Sequence, residues 1–355
     1  MWRKAALAAL LCCLPSVAQT QLTVAQLVSF VKSSVQLEHQ DKRVAEYLRK
    51  IVLLNRLDEQ TVVELQAAGA GPKTVEALRA LLEASKNLPP PAAPAPKPVP
   101  SGVPSPSPLE QTAILSEVRE FAMNYVKNLP DFICTQVTRR YFDPSGLEFW
   151  QRQDVLTARL TYFEQKEDYK LVLVNGTTTT SQYEAVGGAT SSGEFGSMMR
   201  EIFAPKTEAE FHWERWATLR AKRTHVFSYR VLQSHSQWRI EYERKQHYYP
   251  GYRGLIYVDR DTRMIMRITL EAEDIPPSFP VQQVLTVLDF DYTKIAEAEY
   301  LLPLKAVVRM REGKFLVKNE VEFRLYRKFT AEATITFDTP APLPEDKTTE
   351  QPPQP

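Results

Sequence analysis

Gly254-Leu255-Ile256-Tyr257-Val258-Asp259-Arg260-Asp261-Thr262-Arg263-Met264-Ile265-Met266-Arg267-Ile268-Thr269-Leu270-Glu271 decides the fold. In its second half Met264, Met266, Ile268 and Leu270 alternate with Arg263, Arg267, Thr269 and Glu271. A period of two predicts a strand with one face buried and one face wet. Asp259-Arg260-Asp261-Thr262 is turn chemistry, so the stretch reads as a hairpin.

Working outward, the same period recurs. Val317, Val321, Phe323 and Leu325 alternate with Lys318, Glu320, Glu322 and Arg324, and Phe329, Ala331, Ala333, Ile335 and Phe337 alternate with Thr330, Glu332, Thr334 and Thr336. Glu312-Gly313-Lys314, Ala221-Lys222-Arg223 and Asn175-Gly176-Thr177 supply further turns. Asn175 opens a formal glycosylation sequon, read here as a hairpin turn. Consecutive hairpins predict one large, strongly curved antiparallel sheet. Two segments change period. Ile114, Leu115, Val118, Phe121, Ala122, Tyr125, Val126 and Leu129 follow helical spacing up to Pro130. Glu194 to Phe203 places Phe195, Met198, Met199, Ile202 and Phe203 on one helical face, behind the loop 187–193 and before Pro205.

The fold class is therefore α+β: a small all-α N-terminal module, a Pro-rich linker, then a large curved antiparallel β-sheet (half-barrel) covered by one or two helices. Residues 1–18 read as a secretory leader. Arg3 and Lys4 precede the short apolar run Ala5–Leu14, and Ser16-Val17-Ala18 gives the small–x–small pattern, with cleavage expected at Ala18/Gln19. Ten apolar residues are too few to span a bilayer, and no apolar run after them approaches that length, so a periplasmic or secreted protein is expected. Cys12 and Cys13 lack the small residue that a lipoprotein signal places before its cysteine. Residues 19–87 form the helical module, with stripes Leu27, Phe30, Val31 and Val44, Leu48, Ile51, Val52, the latter behind Asp41 as N-cap. A helix opened by Asp58 follows, and another begins at Pro72. Residues 88–109 are the linker; ten prolines between Leu88 and Pro108 favour extended polyproline II reaching roughly 60 Å. The β domain is 110–338, and 339–355 is a Pro-, Glu- and Thr-rich tail expected to be disordered.

The hairpin 254–268 resembles that of the LolA/LolB/RseB-like periplasmic half-barrel superfamily, in which a Gly-x-x-Trp/Tyr-Val-Asp strand runs through a short turn into a strand ending near an Arg. The resemblance covers about 131–338 and implies the half-barrel fold more than a task; a hydrophobic ligand, lipid or lipoprotein partner is expected from the leader, the period-two Met/Phe strands and the Met-rich helix. The overall layout also resembles uncharacterised secreted bacterial proteins.

A half-barrel with a helical lid binds an apolar group by removing it from water, about 0.8 kcal/mol per CH₂. Polarizable methionines suit such a groove. The expected lining is Phe195, Met198, Met199, Ile202, Met264, Met266 and Ile268, completed by Trp213, Trp216, Tyr229, Trp238 and Tyr257. The competing reading of such stripes is plain core. Gly69-Ala70-Gly71-Pro72-Lys73-Thr74 resembles the hairpin of helix–hairpin–helix modules, where glycines free backbone N–H groups to hold a phosphate, here with Lys73 and Thr74 adding contacts. Nine Lys/Arg against eight Asp/Glu in 19–87 give no basic face, so nucleic acid is not expected and docking to an envelope protein is the preferred use.

The net charge of +1 gives no global field. Once the leader is set aside Cys134 is the single cysteine, so no internal disulfide forms and a buried thiol is expected. His212, His225, His235 and His247 lack metal-ligand spacing, and no nucleophile elbow, P-loop or dinucleotide fingerprint occurs. No catalytic residue, metal or cofactor is assigned. Asp289 and Asp291 read as a strand face paired with Arg or Lys, with acid–base chemistry the minor alternative. Function comes down to a non-enzymatic envelope protein with a lipid-binding groove, or an interaction scaffold whose sheet is closed over by Phe121, Tyr125 and their helix.

Overall fold

The structure is a computed structural model that describes residues 20–36, 39–91, 103–146, 148–182, 186, 194–243, 245–329 and 339–351. The leader, linker residues 92–102, the 187–193 loop and residues 330–337 of the expected last strand lie outside the described residues. The chain divides into compact units at 1–96 and 97–355.

The first unit contains β1 (Thr20–Leu22), α1 (Val24–Gln36), α2 (Asp41–Leu48), β2 (Ile51–Leu53), α3 (Glu59–Ala67) and α4 (Pro72–Ala84). Leu27, Phe30, Leu48, Leu65 and Leu78 are buried at its centre, each side chain contributing about 2 kcal/mol. Asp58 caps α3 by accepting from the Thr61 N–H at 2.7 Å. The unit is not purely helical. Ile51 and Val52, expected to continue a helical stripe, lie in β2, which pairs in parallel with β1 (Thr20↔Ile51, Leu22↔Leu53). Ile51 and Leu53 face inward and Val52 outward. A β-branched pair just past the end of α2 alternates in burial, and that suits a strand better than a fourth helical turn.

The second unit opens with α5 (Pro108–Asn124), nucleated by a reciprocal capping box between Ser107 and Glu110 with Pro108 in the first turn. Then come β3 (Phe132–Asp143), β4 (Gln151–Phe163), β5 (Lys166–Val174), β6 (Thr177–Thr178), α6 (Ser197–Phe203), β7 (Glu210–Leu219), β8 (Lys222–Val231), the small hairpin β9 (Ile240–Tyr242) and β10 (Gln246–Tyr248), β11 (Gly251–Asp259), β12 (Ile265–Glu273), β13 (Val281–Ile295), β14 (Ala298–Glu312) and β15 (Phe315–Lys328). Eleven of the described strands form one antiparallel sheet in the order β6-β5-β4-β3-β15-β14-β13-β12-β11-β8-β7. The end strands β6 and β7 do not pair with each other, so the sheet stays an open half-barrel. Pairing of β3 with β15 joins two meanders in the middle of the sheet, so the chain enters and leaves the sheet there. The expected turns are present. Asn175 and Gly176 both have positive φ, +52° and +79°, as a type I′ turn requires, and Asp259 accepts from the N–H groups of Asp261 and Thr262. Leu325 departs from its expected inward place. It has φ +55° at an irregularity in the β15–β3 pairing and is exposed.

One face of the sheet is covered by α5 and α6. Ile114, Val118 and Ala122 of α5 and Phe195, Met199, Ile202 and Phe203 around α6 join Phe132, Phe227, Met266, Ile268, Leu288, Phe290 and Phe323 of the sheet in a single core. Phe195 packs against Phe132 and Phe323 with ring centroids at 5.4 and 5.2 Å, and Tyr125 donates to the Leu301 carbonyl at 2.9 Å. Gly254 is required here: a Cβ would stand 1.9 Å from the Thr269 carbonyl oxygen, which accepts from the Tyr229 hydroxyl at 2.8 Å.

Candidate functional site

Most of the side chains expected to line an apolar groove are the core itself. Phe195, Met199, Ile202, Tyr229, Met266 and Ile268 are at most 2% exposed. Met198, Trp213, Trp238 and Met264 are half-buried at the margin of that core. Trp216 is drawn to one end of the domain, where its indole N–H donates to the Pro104 carbonyl at 3.1 Å and its ring lies 4.2 Å from the His225 ring. Tyr257 is buried in the same apolar cluster but differs in direction. It pairs in register with Arg267, whose neighbours Met266 and Ile268 point to the helices, so Tyr257 stands on the opposite face of the sheet.

The end of the domain holds a pocket of about 390 Å³ between Pro104, Pro106, Glu110, Ile114 and Glu117 and the side chains of Trp216, His225, Arg260 and Arg263. Burial, and then the nearby Arg263 and Arg260 guanidiniums, push the His225 imidazole down to about 4. Arg263 approaches its Nε2 at 3.1 Å and Glu117 at 3.6 Å.

The face away from the helices is built differently. Register places Thr157, Arg139, Glu322, Arg324, Asp289, Arg267, Tyr257 and Arg215 on it, across β4, β3, β15, β13, β12, β11 and β7. Arg267 binds Asp289 through two hydrogen bonds of 2.9 Å, and Arg220, from the β7–β8 turn, reaches the same carboxylate at 3.3 Å and Asp291 at 3.7 Å. Burial raises the Asp289 carboxyl above its ordinary range in spite of these arginines. Arg139 and Arg324 flank Glu322 at 2.9 and 3.3 Å. Asp289 and Asp291 thus share an arginine, with Asp289 buried and Asp291 half-buried.

That burial comes from the chain's own C-terminal segment. Residues 339–351, expected from composition to be a disordered tail, cross the strands as a strap. Thr339 contacts Thr157 through hydroxyls 2.9 Å apart. The Pro340 and Ala341 carbonyls accept from Arg139 and Arg324 at 3.4 and 3.1 Å. The Leu343 N–H donates to Glu322 at 3.1 Å. The Lys347 carbonyl accepts from Arg220 at 3.0 Å and the Thr348 carbonyl from Arg267. Glu350 is clasped by both terminal nitrogens of Arg215 and by the Tyr257 hydroxyl at 3.0 Å. Finally the Gln351 N–H donates to the Thr218 carbonyl at 2.9 Å, a bridge on the free edge of β7. A proline-rich segment cannot make a core of its own, but it can be held by a surface that supplies donors to its carbonyls. Arg139 on β3, Arg267 with Glu271 on β12, and Glu320, Glu322 and Arg324 on β15 were the available signal for this surface.

In the helical unit, Gly69, Gly71, Lys73 and Thr74 do come together at the start of α4, but the anion there is internal. Asp41 accepts from the Lys73 and Thr74 N–H groups at 2.9 Å each. Burial raises its carboxyl slightly, and the hydrogen bonds from Thr74 and Lys73 outweigh this and lower it. Asp41 is therefore the cap of α4 rather than of α2, whose N-cap is Gln40. A Cβ on Gly71 would lie 2.4 Å from the Asp41 Cγ. The glycine admits the carboxylate, which fills the place a phosphate would take. Cys134 is buried and its thiol is pushed up by that burial. The expected metal-free character rests on spacing; among the described residues, no group of three or more His, Cys, Asp and Glu side chains converges as a metal site would need. No described helix is long and apolar enough to cross a membrane.

No family model matches this chain, and no curated protein matches it. Among solved structures it is similar to a DUF1329 family protein from Desulfovibrio piger, at 10% identity and a TM-score of 0.29, covering 62% of this chain and 95% of that one. A putative outer membrane lipoprotein-sorting protein domain from Vibrio parahaemolyticus gives 10% identity and 0.29, covering 62% and 92%. A LolA superfamily protein from Nitrosomonas europaea gives 9% and 0.26, covering 61% and 94%.

Proposed function

We propose that this chain is a non-enzymatic protein of the cell envelope that holds other proteins, working through the sheet face that the helices leave uncovered, with the 19–87 module as a second docking element on its proline tether. The observation that carries this reading is the contrast in how the two faces are filled. Side chains suited to a lipid tail are already packed against one another, whereas Arg139, Arg324, Arg220 and Arg267 turn hydrogen-bond donors toward a polypeptide backbone. Export from the cytoplasm follows the leader pattern at 1–18. A lipid or lipid-modified partner is the second reading. It is favoured by one feature: α6 has only seven residues, Met198 among them, and Met198, Met264, Trp213 and Trp238 are only half-buried against the core, so lifting this short lid would open an apolar space.

Native mass spectrometry of residues 19–355, purified without detergent and then challenged with phospholipid, separates the two. The interaction reading expects a single apo mass that takes up no lipid. A retained, extractable lipid mass overturns it in favour of the groove.

A further inference from the structure

The strap across the open face has properties that a merely structural tail does not need. Its residues are mostly exposed; only Pro340, Leu343, Thr348, Glu350 and Gln351 are half-buried, so apolar burial contributes little to its attachment. It is gripped mainly by its backbone, and by groups that are themselves rooted in the sheet. Arg139 is paired with Glu322, and Arg267 with Asp289, across neighbouring strands of the sheet itself. Such side chains keep their geometry whatever lies on them, which is the meaning of a preformed site.

The chemistry of the grip also has a direction. Four arginines donate to carbonyl oxygens, and Leu343 gives the one strap N–H that the sheet answers before the chain reaches the β7 edge; the N–H groups of Lys347, Thr348 and Thr349 close on Pro344 and Glu345 in a 3-10 turn over Glu345–Lys347. Pro340, Pro342 and Pro344 have no N–H to satisfy. A surface that reads carbonyls and answers few N–H groups therefore matches a proline-bearing segment that is extended over 339–344 and turns once over 345–347, whose proline-rich part is already stiff and loses little entropy on docking. Specificity enters at one side chain. The Glu350 carboxylate meets the fork of Arg215 and the Tyr257 hydroxyl, a bidentate arrangement that a carboxylate fills and an amide or cation does not.

Resting on the interaction reading above, we propose that this face is a receptor groove for an extended, proline-bearing, acidic segment of a partner protein, and that residues 339–351 occupy it in cis until that segment displaces them. The strap is the template for the partner. Backbone carbonyls are read by Arg139, Arg324, Arg220 and Arg267, and a carboxylate is read by Arg215.

The test uses the whole chain. Leu343→Pro removes the N–H given to Glu322, and Glu350→Arg sets like charges against Arg215, so the double variant frees the groove without touching the sheet. A fluorescein-labelled peptide with the sequence of 339–351 is titrated against it by anisotropy. Saturable binding is expected to be at least about tenfold tighter than to the natural chain, whose tethered strap competes at high effective concentration. A peptide carrying the same two changes is expected not to bind. Equal binding to both proteins, or no binding to a double variant that melts cooperatively, overturns the proposal. Hydrogen exchange of the unmodified chain keeps the test decisive should the variant fail to fold: millimolar unlabelled peptide is expected to speed exchange at Leu343 and Gln351, and unchanged protection overturns the groove. A failed peptide titration with a lipid-free mass removes the groove and leaves the interaction reading standing; a retained lipid removes that reading itself.

Discussion

The two faces of the sheet solve the same problem, covering a large surface, with opposite chemistry. On the helix side the cover is apolar and interdigitated. Phe195 meets Phe132, Phe323 and Tyr162 at once, and its removal from water, together with close packing, holds the helices down. On the strap side the cover is polar and thin, held by hydrogen bonds from buried arginines to backbone oxygens. Net gains per hydrogen bond are about 1 kcal/mol, so thirteen residues, eight of them exposed, form a low-stability element on such a surface while the sheet beneath them does not. One face is made to stay closed and the other is made to be opened.

The largest effect expected from this contrast is on the helix side. Met199→Asp places a charge in a site with no exposure and no partner, and at about 4–5 kcal/mol or more this change is expected to abolish cooperative unfolding of the β domain. Denaturant titration followed by tryptophan fluorescence measures it. A folded variant that merely stops taking up lipid would turn α6 into a lid and reverse the reading of that face.

Next comes the ion network beneath the strap. Arg267→Met leaves Asp289 buried with Arg220 alone, at an expected cost of about 3 kcal/mol. Adding Asp289→Leu is expected to recover much of it, because the uncompensated charge is then gone. If the single variant unfolds at the denaturant concentration of the natural chain, the network is surface chemistry and the strap has no rigid floor.

The third prediction concerns the end pocket. An unfolded imidazole takes up its proton near 6.5, whereas His225 in the folded chain does so only at about 4. Between these values the unfolded state binds more protons, so stability falls as pH falls through that window, by an amount on the order of 2 kcal/mol. His225→Phe keeps a ring against Trp216 and is expected to flatten the pH dependence of thermal unfolding between 4 and 6.5. A slope unchanged by that substitution would assign the effect to other groups.

What was legible in the sequence followed from local periodicity. The alternation from Met264 to Glu271 and the turn at Asp259–Thr262 are visible within a dozen residues, and Asn175-Gly176 specifies its own turn. The helix that ends before Pro130 shows its stripe from Ile114 to Leu129. What escaped depends on contacts far apart in the chain. Asp41 looks like the cap of the helix it precedes; its true partners, Lys73 and Thr74, lie 32 and 33 residues away. Asp41→Ala, costing about 1–2 kcal/mol through the lost cap, tests this in the module's own melting transition. Tyr257 alternates correctly within its strand, but its partner across the hairpin is Arg267, which puts it on the polar face; the irregularity that follows shifts Val258 onto Ile265 rather than Met266. The tail 339–351 has the composition of a chain that cannot fold alone, which is a correct inference about a core and says nothing of a surface prepared to hold it.

The smallest effect belongs to the strap, and it sharpens the comparison most. Arg215 and Glu350 are each about a third exposed, so Glu350→Gln is expected to change global stability by less than about 1 kcal/mol. Its local consequence differs. Lys347 lies in the strap with its carbonyl on Arg220, and trypsin reaches the following bond only when the segment leaves the sheet. Weakening the anchor at Glu350 raises the population of the open form, so cleavage after Lys347 is expected to accelerate several-fold while cleavage elsewhere in the β domain keeps its rate. The release of the fragment 348–355, followed by mass spectrometry over time, reads that directly. Equal rates with and without Glu350 would mean that the clasp by Arg215 and Tyr257 does not hold the strap, and the two faces would then differ in composition but not in their readiness to open.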